Sequence, residues 1–230
     1  MELRDAVRER RMVRSFRPDP LDPTAVATLF DDALRAPTAG NSRGAAWLLL
    51  EGPEQTAAYW SGATTAPWRA TARRWPGLSV APLVALALCS APAYLSRYAE
   101  ADKAASGLGT APAPAGPGDS AGGGDSAGGG DSAGGGDSAW TVPYWFGDAA
   151  FSTMSVLLGA VDLGLGACFL GNFRGERAVL DALGVPDEWR LFGAVLLGHP
   201  AAEDRPSASL TRPGLSRAAR LHRGRWSGPT

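Results

Sequence analysis

The chain has 230 residues and a formal net charge of −1, with 45% hydrophobic and 20% charged residues. This length allows one domain with a substantial core, and the composition is that of an ordinary globular protein. The balanced charge argues against a general affinity for nucleic acid or anionic membrane, since both need a clustered basic surface.

The two cysteines and the apolar runs indicate the cellular compartment in which the protein is expected. Cys89 and Cys168 lie inside apolar stretches, which predicts buried free thiols in a reducing compartment, with a disulfide or a reactive thiol as the alternatives. The charged start of the chain has no apolar signal segment. The longest apolar stretch, residues 151–171, is interrupted by Asp162 and Gly164, which favours a helix followed by a strand over a membrane span. We therefore expect a cytoplasmic protein with no membrane partner.

The predicted elements mix α and β structure. Asp22 is a good N-cap and Pro23 suits the first helical position, so a helix begins here and ends before Pro37. The elements that follow are strands at 47–50 and 83–89, a helix at about 92–101, a helix through Phe151, a strand at 167–170, a helix at 174–183 and a strand at 192–197. The helix through Phe151 is mostly apolar, as expected for a buried helix. The face that we expect it to bury carries Phe151, Met154, Ser155, Leu158 and Val161.

Residues 104–139 differ from the rest of the chain. An Ala/Pro/Gly stretch is followed by repeats of Asp-Ser-Ala-Gly-Gly-Gly. A segment with so little apolar surface cannot offset its ordering entropy, which predicts a flexible loop. The repeat also lacks the large apolar residue that a calcium-binding β-helix coil needs. We interpret residues 104–139 as a disordered insertion in one domain that spans residues 1–230.

Three segments could carry chemistry. Residues 10–17 contain four arginines, which could clamp a phosphate or form a solvated basic face. Residues 36–43 form a small polar loop with a glycine, through which backbone amides can approach a flat ligand. Residues 164–171 contain three glycines but lack the third glycine of a dinucleotide loop and follow a helix, so we reject a Rossmann site. The two histidines, His199 and His222, have no spacing typical of zinc ligands. An enzyme without an evident acid, base or nucleophile is typical of cofactor-dependent chemistry.

In this order and spacing, the segments resemble the flavin-dependent nitroreductase family. Residues 10–16 resemble its R-R-S-x-R-x-F start, residues 36–41 its A-P-S-A-x-N loop, and residues 163–171 its L-G-L-G-T-C-W-x-G segment. Residues 185–188 with 196–200 resemble its I-P-E and L-G-Y-P ending. The resemblance covers roughly residues 8–50 and 140–226. It implies an α+β fold with a central, mostly antiparallel sheet flanked by helices, and an obligate homodimer with FMN at the subunit interface.

The resemblance also implies roles for individual residues. Arg10, Arg11, Met12 and Arg14 match positions that surround the FMN phosphate and the pyrimidine edge of the flavin. The loop residues that match flavin contacts, in this family often from the partner subunit, are Pro37, Thr38, Ala39 and Asn41. Leu170 and Gly171 match the backbone that faces flavin N5 and O4, and Arg212 matches a C-terminal phosphate-binding arginine. No amino-acid side chain is expected to be catalytic, because the flavin would carry the chemistry.

The sequence departs from the family pattern at three places. Met12 stands where many members have serine, residues 43–47 replace and lengthen the usual Q-P-W, and Leu210 stands where a lysine is expected. The family implies hydride transfer from NAD(P)H through FMN to a small electron-poor acceptor, such as a nitroaromatic or a quinone. The alternatives are an azoline dehydrogenase, a flavin-consuming enzyme, a deazaflavin enzyme and a flavin-binding protein without activity. Neither the acceptor nor the choice between NADH and NADPH follows from the sequence.

Overall fold

The computed structural model describes residues 1–65, 75–109, 140–172 and 175–226, and these ranges contain six helices and four strands. The helices are α1 Leu3–Glu9, α2 Pro23–Ala33, α3 Gly52–Ala63, α4 Ala91–Ala99, α5 Tyr144–Asp162 and α6 Glu176–Ala182. The strands are β1 Ala45–Glu51, β2 Leu83–Cys89, β3 Gly166–Leu170 and β4 Arg190–Gly198. Short 3-10 turns cover Ala39–Asn41, Pro76–Val80, Ala104–Ser106 and Ala208–Thr211.

The four strands form one sheet in the order β1-β2-β4-β3, and all three pairings are antiparallel. Strand β2 is buried along its whole length, since it is central and both faces of the sheet are covered. Its side chains alternate between the two faces, as strand geometry requires. Val84, Leu86 and Leu88 join one core cluster, whereas Leu83 and Ala85 join the other. The expected α+β fold with a mainly antiparallel sheet is therefore confirmed.

Helices cover each face of the sheet through a separate core cluster. On one face, α3 and α6 contribute Tyr59, Trp60, Val179 and Leu180. On the other face, α2 and α5 contribute Leu29, Phe30, Val156 and Leu157. The sheet is thus the middle layer of three.

Helix α2 begins as its sequence predicts. The side chain of Asp22 accepts a hydrogen bond from the Thr24 amide at 3.0 Å, and Pro23 takes the first helical position. The helix ends at Ala33, ahead of Pro37. The predicted strands, and the predicted helices at 92–101 and 174–183, lie within a few residues of the observed elements, although β1 and β4 are longer at both ends. Helix α3 was not predicted.

The prediction of the buried face of α5 is wrong. The residues that α5 buries are Asp148, Ala149, Ser152, Thr153, Val156, Leu157 and Ala160. Phe151 and Met154, which were expected inside, are 56% and 47% exposed. Because α5 is apolar nearly all round, its periodicity does not distinguish the face that packs on the sheet from the opposite one. The second apolar face remains open in a single chain.

Both cysteines are free and buried, as expected. Burial raises the pKa of Cys89 to about 12 and that of Cys168 to about 11, so both thiols are protonated at neutral pH. Within the described ranges, no helix combines the length and apolar character needed to cross a bilayer. Of the proposed insertion, residues 110–139 lie outside the described residues, as does Arg174 from the predicted helix at 174–183.

Candidate functional site

Residues 10–17 form an extended segment that contacts the outer edge of strand β3 and then pairs with residues 199–201. Met12 makes a parallel bridge with Ala167, and the Val13 amide donates to the Ala167 carbonyl at 2.9 Å. Gly166 permits this approach, because a Cβ at that position would stand 2.9 Å from the Val13 methyl groups. The sheet edge therefore holds the arginine-rich segment in an extended form.

A buried carboxylate, Asp204, fastens the same segment. Its side chain is only 2% exposed; it accepts hydrogen bonds from the amides of Arg14 at 2.8 Å and Ser15 at 2.9 Å, and it pairs with the Arg11 guanidinium. Burial alone would raise the pKa of Asp204, but the hydrogen bonds from Arg11 and the two amides outweigh burial and lower that pKa. Asp204 is therefore ionised at neutral pH, and Arg11 has an internal counter-charge.

Arg10 and Arg14 differ from Arg11, since neither has a carboxylate partner in the part of the chain that the structure describes. The Arg14 guanidinium donates to the Met12 carbonyl at 3.2 Å and lies 5.0 Å from the centre of the Trp75 ring. A guanidinium stacked on an aromatic face retains in-plane N–H groups for another acceptor. Two of the three predicted arginines thus carry charge that is not neutralised by these residues.

Met12 directs its side chain at strand β3. The sulfur accepts a hydrogen bond from the Phe169 amide at 3.3 Å, and the side chain packs against both core clusters. A thioether is a weak acceptor, so most of this contact is packing. Where family members have a serine hydroxyl, this chain has a side chain that supports β3 immediately before Leu170.

Leu170 and Gly171 lie where strand β3 ends and line an open cavity of about 640 Å³. The rest of the lining combines aromatic side chains, such as Tyr59 and Trp60, with small polar ones, such as Thr64. Among the described residues, no charged side chain lines this cavity. The end of β3 therefore borders a space suited to uncharged rings.

The loop at 36–43 has an unusual backbone. Gly40, Asn41 and Arg43 have φ angles of 62°, 57° and 53°, in the left-handed region that L side chains avoid. Gly40 is also in close contact with Tyr98, since a Cβ there would come within 2.7 Å of that ring. Such a conformation persists only where the surroundings hold it.

Helices α4 and α5 supply the groups that hold this loop. Asp148, 4% exposed, accepts hydrogen bonds from the Ala39 amide at 2.7 Å and the Tyr94 hydroxyl at 2.6 Å. Arg97 donates to the Gly40 carbonyl at 2.9 Å. Burial and the hydrogen bond to Asp148 raise the pKa of Tyr94, which keeps its hydroxyl protonated as the donor.

The predicted site residues fall at opposite edges of one end of the sheet. The 36–43 loop leads into Ala45 at the start of β1, and Leu170 ends β3, on the far edge. Three interstrand spacings of about 4.8 Å separate those edges by roughly 14 Å. The structure brings residues 10–14 next to strand β3, but it does not bring the loop to them within one chain.

Arg212 is not joined to this cluster by a hydrogen bond or an ion pair among the described residues. It ends the 3-10 turn Ala208–Thr211, is exposed, and makes no side-chain hydrogen bond or ion pair with residues that the structure describes. The tail around it exposes Leu210, Leu215 and Trp226 at 70%, 69% and 76%. A single chain therefore leaves Arg212 unattached to the arginine segment.

Sequence reasoning missed Asp148, Asp204 and Tyr94. A lone aspartate in the apolar stretch at 144–161 was a signal for Asp148, because a buried carboxylate needs specific donors. Nothing in the sequence around Asp204 separates it from an ordinary surface aspartate. Within the described ranges, no group of three or more His, Cys, Asp or Glu side chains is placed to hold a metal ion.

Comparison with known proteins gives a consistent result. A model of the nitroreductase family matches residues 7–113 and 138–199. A comparison with curated protein sequences gives no significant match. Among solved structures, the NfrA1 nitroreductase from B. subtilis is 18% identical with a TM-score of 0.66, covering 100% of this chain and 76% of its own.

Two further structures have the same fold. NfrA2 from B. megaterium is 19% identical with a TM-score of 0.65, covering 99% of this chain and 76% of its own. A protein from Clostridium acetobutylicum assigned as an NADH oxidase is 17% identical with a TM-score of 0.61, covering 96% of this chain and 100% of its own. At these identities the likeness establishes the fold.

Proposed function

Because the chain belongs to the nitroreductase family of flavin-dependent oxidoreductases, we propose that it is an FMN-dependent NAD(P)H oxidoreductase. It transfers a hydride from NAD(P)H through the flavin to a small electron-poor acceptor of the nitroaromatic or quinone type. The observation that carries this proposal is the pair of arginines without a carboxylate partner among the described residues, Arg10 and Arg14, on the segment that contacts strand β3. A structural neighbour assigned as an NADH oxidase supports the nicotinamide donor.

The residues of the arginine segment and of strand β3 fit FMN. Arg10 and Arg14 suit a phosphate and the electron-rich edge of a flavin, since guanidinium groups bind oxyanions in bidentate geometry. The uncharged cavity beside Leu170 and Gly171 suits the rings. Arg11 is engaged by Asp204, so we assign it to placing its neighbours rather than to direct phosphate binding. Bound FMN would supply the hydride acceptor and donor that the side chains lack.

The chain's own residues would orient and polarise this cofactor. A cation at Arg14 would stabilise negative charge that develops on the reduced ring system. Backbone groups at Leu170 and Gly171 would set the position of the reacting edge. Met12 would hold the end of β3 in place through its contact with Phe169.

A homodimer would complete the site. The 37–41 loop lies on the opposite edge of the sheet from Leu170, so a second subunit is needed to bring Pro37, Thr38, Ala39 and Asn41 to the cofactor. The chain also exposes apolar side chains suited to such an interface. These are Leu3 and Val7 on α1 and Phe151 and Met154 on α5, which are 47–69% exposed.

The purified protein tests this proposal through its visible spectrum and its response to NADH or NADPH without oxygen. We expect a bound-flavin spectrum that bleaches with at least one donor and recovers when a quinone is added. A yellow protein that neither donor reduces would contradict reductase activity and favour a dehydrogenase or a flavin-binding protein. A colourless protein that FMN does not reconstitute would contradict the cofactor assignment itself.

A further inference from the structure

Two arginines line the cavity beside the 36–43 loop. This cavity has a volume of about 540 Å³ and is separate from the one beside Leu170. Its polar lining consists of Arg35, Thr38, Asn41, Arg43, Asp148 and Ser152. Arg35 follows helix α2, whereas Arg43 lies at the end of the loop, so two different segments bring cations to one space.

Neither guanidinium is neutralised by the residues that the structure describes. Arg35 and Arg43 make no ion pair there, and the Arg43 Nε has only a 3.4 Å contact with the Asn41 Oδ1. Other arginines of the chain do have carboxylate partners, for example Arg97 with Asp102 at 2.7 Å and Arg177 with Asp181 at 2.6 Å. Arg35 and Arg43 share the lack of a carboxylate partner with Arg10 and Arg14, and they differ in lining one cavity together.

The one carboxylate in the lining does not take up these charges. Asp148 is 4% exposed and already accepts hydrogen bonds from the Ala39 amide and the Tyr94 hydroxyl. No ion pair joins Asp148 to Arg35 or Arg43. With two cations against one carboxylate, the described lining has a positive balance, which favours an anion.

The backbone of Arg43 supplies a second, independent observation. Its φ of 53° lies in the left-handed region, which L residues rarely adopt. The Arg43 amide donates to the Thr38 Oγ1 at 3.1 Å, and this hydrogen bond helps to hold the conformation. A strained position maintained by its surroundings is common at binding loops. The hydrogen bond to Thr38 thus holds the backbone of Arg43 beside the cavity that its side chain lines.

We propose that Arg35 and Arg43 form an anion site that binds a phosphate or carboxylate group on a molecule reacting with the flavin. Guanidinium groups bind both groups in bidentate geometry. The inference rests on the proposed function, because a reacting partner presupposes a flavin in the dimer. The anion has two possible sources, the 2′-phosphate of NADPH and an acidic group on the acceptor. The site would make the enzyme select NADPH over NADH or anionic acceptors over neutral ones.

The test uses the FMN-loaded protein and the variants Arg35→Gln, Arg43→Gln and the double variant. Arg177→Gln is the control, since it removes a partly exposed guanidinium on α6 that is already paired with Asp181 and the Val185 carbonyl. NADPH is compared with NADH as the donor, with 1,4-benzoquinone as the acceptor in both assays. 4-nitrobenzoate is compared with 4-nitrobenzamide as the acceptor. We expect the double variant to lower kcat/KM about tenfold or more for NADPH or for 4-nitrobenzoate. The kcat/KM for the counterpart that lacks the phosphate or carboxylate, NADH or 4-nitrobenzamide, should change less than about twofold. Arg177→Gln should change neither the ratio of kcat/KM for NADPH and NADH nor the ratio for 4-nitrobenzoate and 4-nitrobenzamide.

Which ratio falls identifies the source of the anion. If both ratios stay within about twofold of wild type in the double variant, the proposal is overturned. Loss of FMN from the double variant would also overturn it, because the two arginines would then serve the cofactor itself. Flavin content is therefore measured before the kinetics.

Calorimetry separates this proposal from the proposed function. Adenosine 2′,5′-bisphosphate and 4-nitrobenzoate are titrated into wild type and the double variant, with adenosine 5′-monophosphate and 4-nitrobenzamide as their counterparts. If the affinity for an anionic probe falls about tenfold in the double variant, the anion site is supported even where NADPH fails to reduce the flavin. Reduction of the flavin with no difference in binding between the two proteins overturns the anion site and leaves the reductase assignment intact.

Discussion

The carboxylate of Asp148 accepts a 2.7 Å hydrogen bond from the backbone amide of Ala39, 109 residues earlier in the chain. The same oxygen accepts a 2.6 Å hydrogen bond from the Tyr94 hydroxyl. One buried oxygen thus joins α5, α4 and the 36–43 loop. The loop whose residues resemble flavin contacts is therefore held by a group that the family motifs do not include.

Replacing Asp148 by alanine tests this relationship. The change leaves the buried Tyr94 hydroxyl and the part-buried Ala39 amide without their acceptor, which costs about 1–3 kcal/mol for the hydroxyl and about 1 kcal/mol for the amide. We expect a free energy of unfolding lower by about 2–4 kcal/mol, measured by urea denaturation. We also expect weaker FMN binding in the folded protein, measured by fluorescence titration. Asp31→Ala, at an exposed position on α2, is the control. If the two variants are equally stable and bind FMN equally well, Asp148 does not hold the loop.

Asp204 should contribute stability that depends on pH. Its pKa in the folded protein is lowered, so its contribution is fully present above the unfolded pKa of about 3.9 and is lost as the pH falls through the folded pKa. We expect Asp204→Asn to lower the free energy of unfolding at pH 7. The difference from wild type should shrink progressively below about pH 4. Thermal unfolding between pH 3 and pH 7 measures this.

The control for Asp204 is Asp187→Asn. The Asp187 side chain is 94% exposed, and its contact with Arg177 is long, at 3.4 Å. An exposed pair of this kind contributes little, so the variant should follow the wild-type profile. A constant difference between Asp204→Asn and wild type over the whole pH range would contradict the role assigned to the Asp204 charge.

The sequence predicts the sheet well because its strands carry strong local patterns. The apolar run from Leu83 to Cys89 gives the observed bounds of β2, and Asp22 with Pro23 gives the start of α2. In the same way, Gly164, with a φ of 69°, separates α5 from β3. In each case the signal lies within the element itself, so no knowledge of distant contacts is needed.

The site was predictable only in part, because its geometry depends on contacts between distant segments. The motifs indicate residues 10–14 and residues 163–171, and the structure places Met12 and Val13 of the first segment against strand β3 of the second. The pairing of Arg11 with Asp204 joins residues 193 apart in the chain, and no local pattern encodes it. The prediction of the buried face of α5 is wrong for a related reason. A helix with two apolar faces buries the one that its neighbours in the fold cover, and the helix sequence does not contain that information.

Arg11→Ala and Arg14→Ala should affect different properties of the protein. Arg14 has no carboxylate partner among the described residues, so we expect Arg14→Ala to weaken FMN binding about 10- to 100-fold, in line with about 1.5–3 kcal/mol for a hydrogen bond to a charged group. Arg11→Ala should mainly lower stability, because it leaves the buried Asp204 without its counter-charge. FMN titration and urea denaturation of both variants measure the two effects. Equal FMN affinity in wild type and Arg14→Ala would remove Arg14 from the cofactor site.

The open face of α5 should form the contact between subunits. Phe151 is 56% exposed and lies three residues before Met154, so both side chains project from the same side of the helix. We expect the wild type to be a dimer by light scattering and Phe151→Glu to be largely monomeric, because a carboxylate buried in an apolar interface is costly. The monomer should lose FMN, since the 37–41 loop of one chain cannot reach the end of its own β3. Glu54→Gln, at an exposed site on α3, controls for surface charge. A monomeric Phe151→Glu variant that retains FMN would show that one chain binds the cofactor alone, and the loop would then have another role.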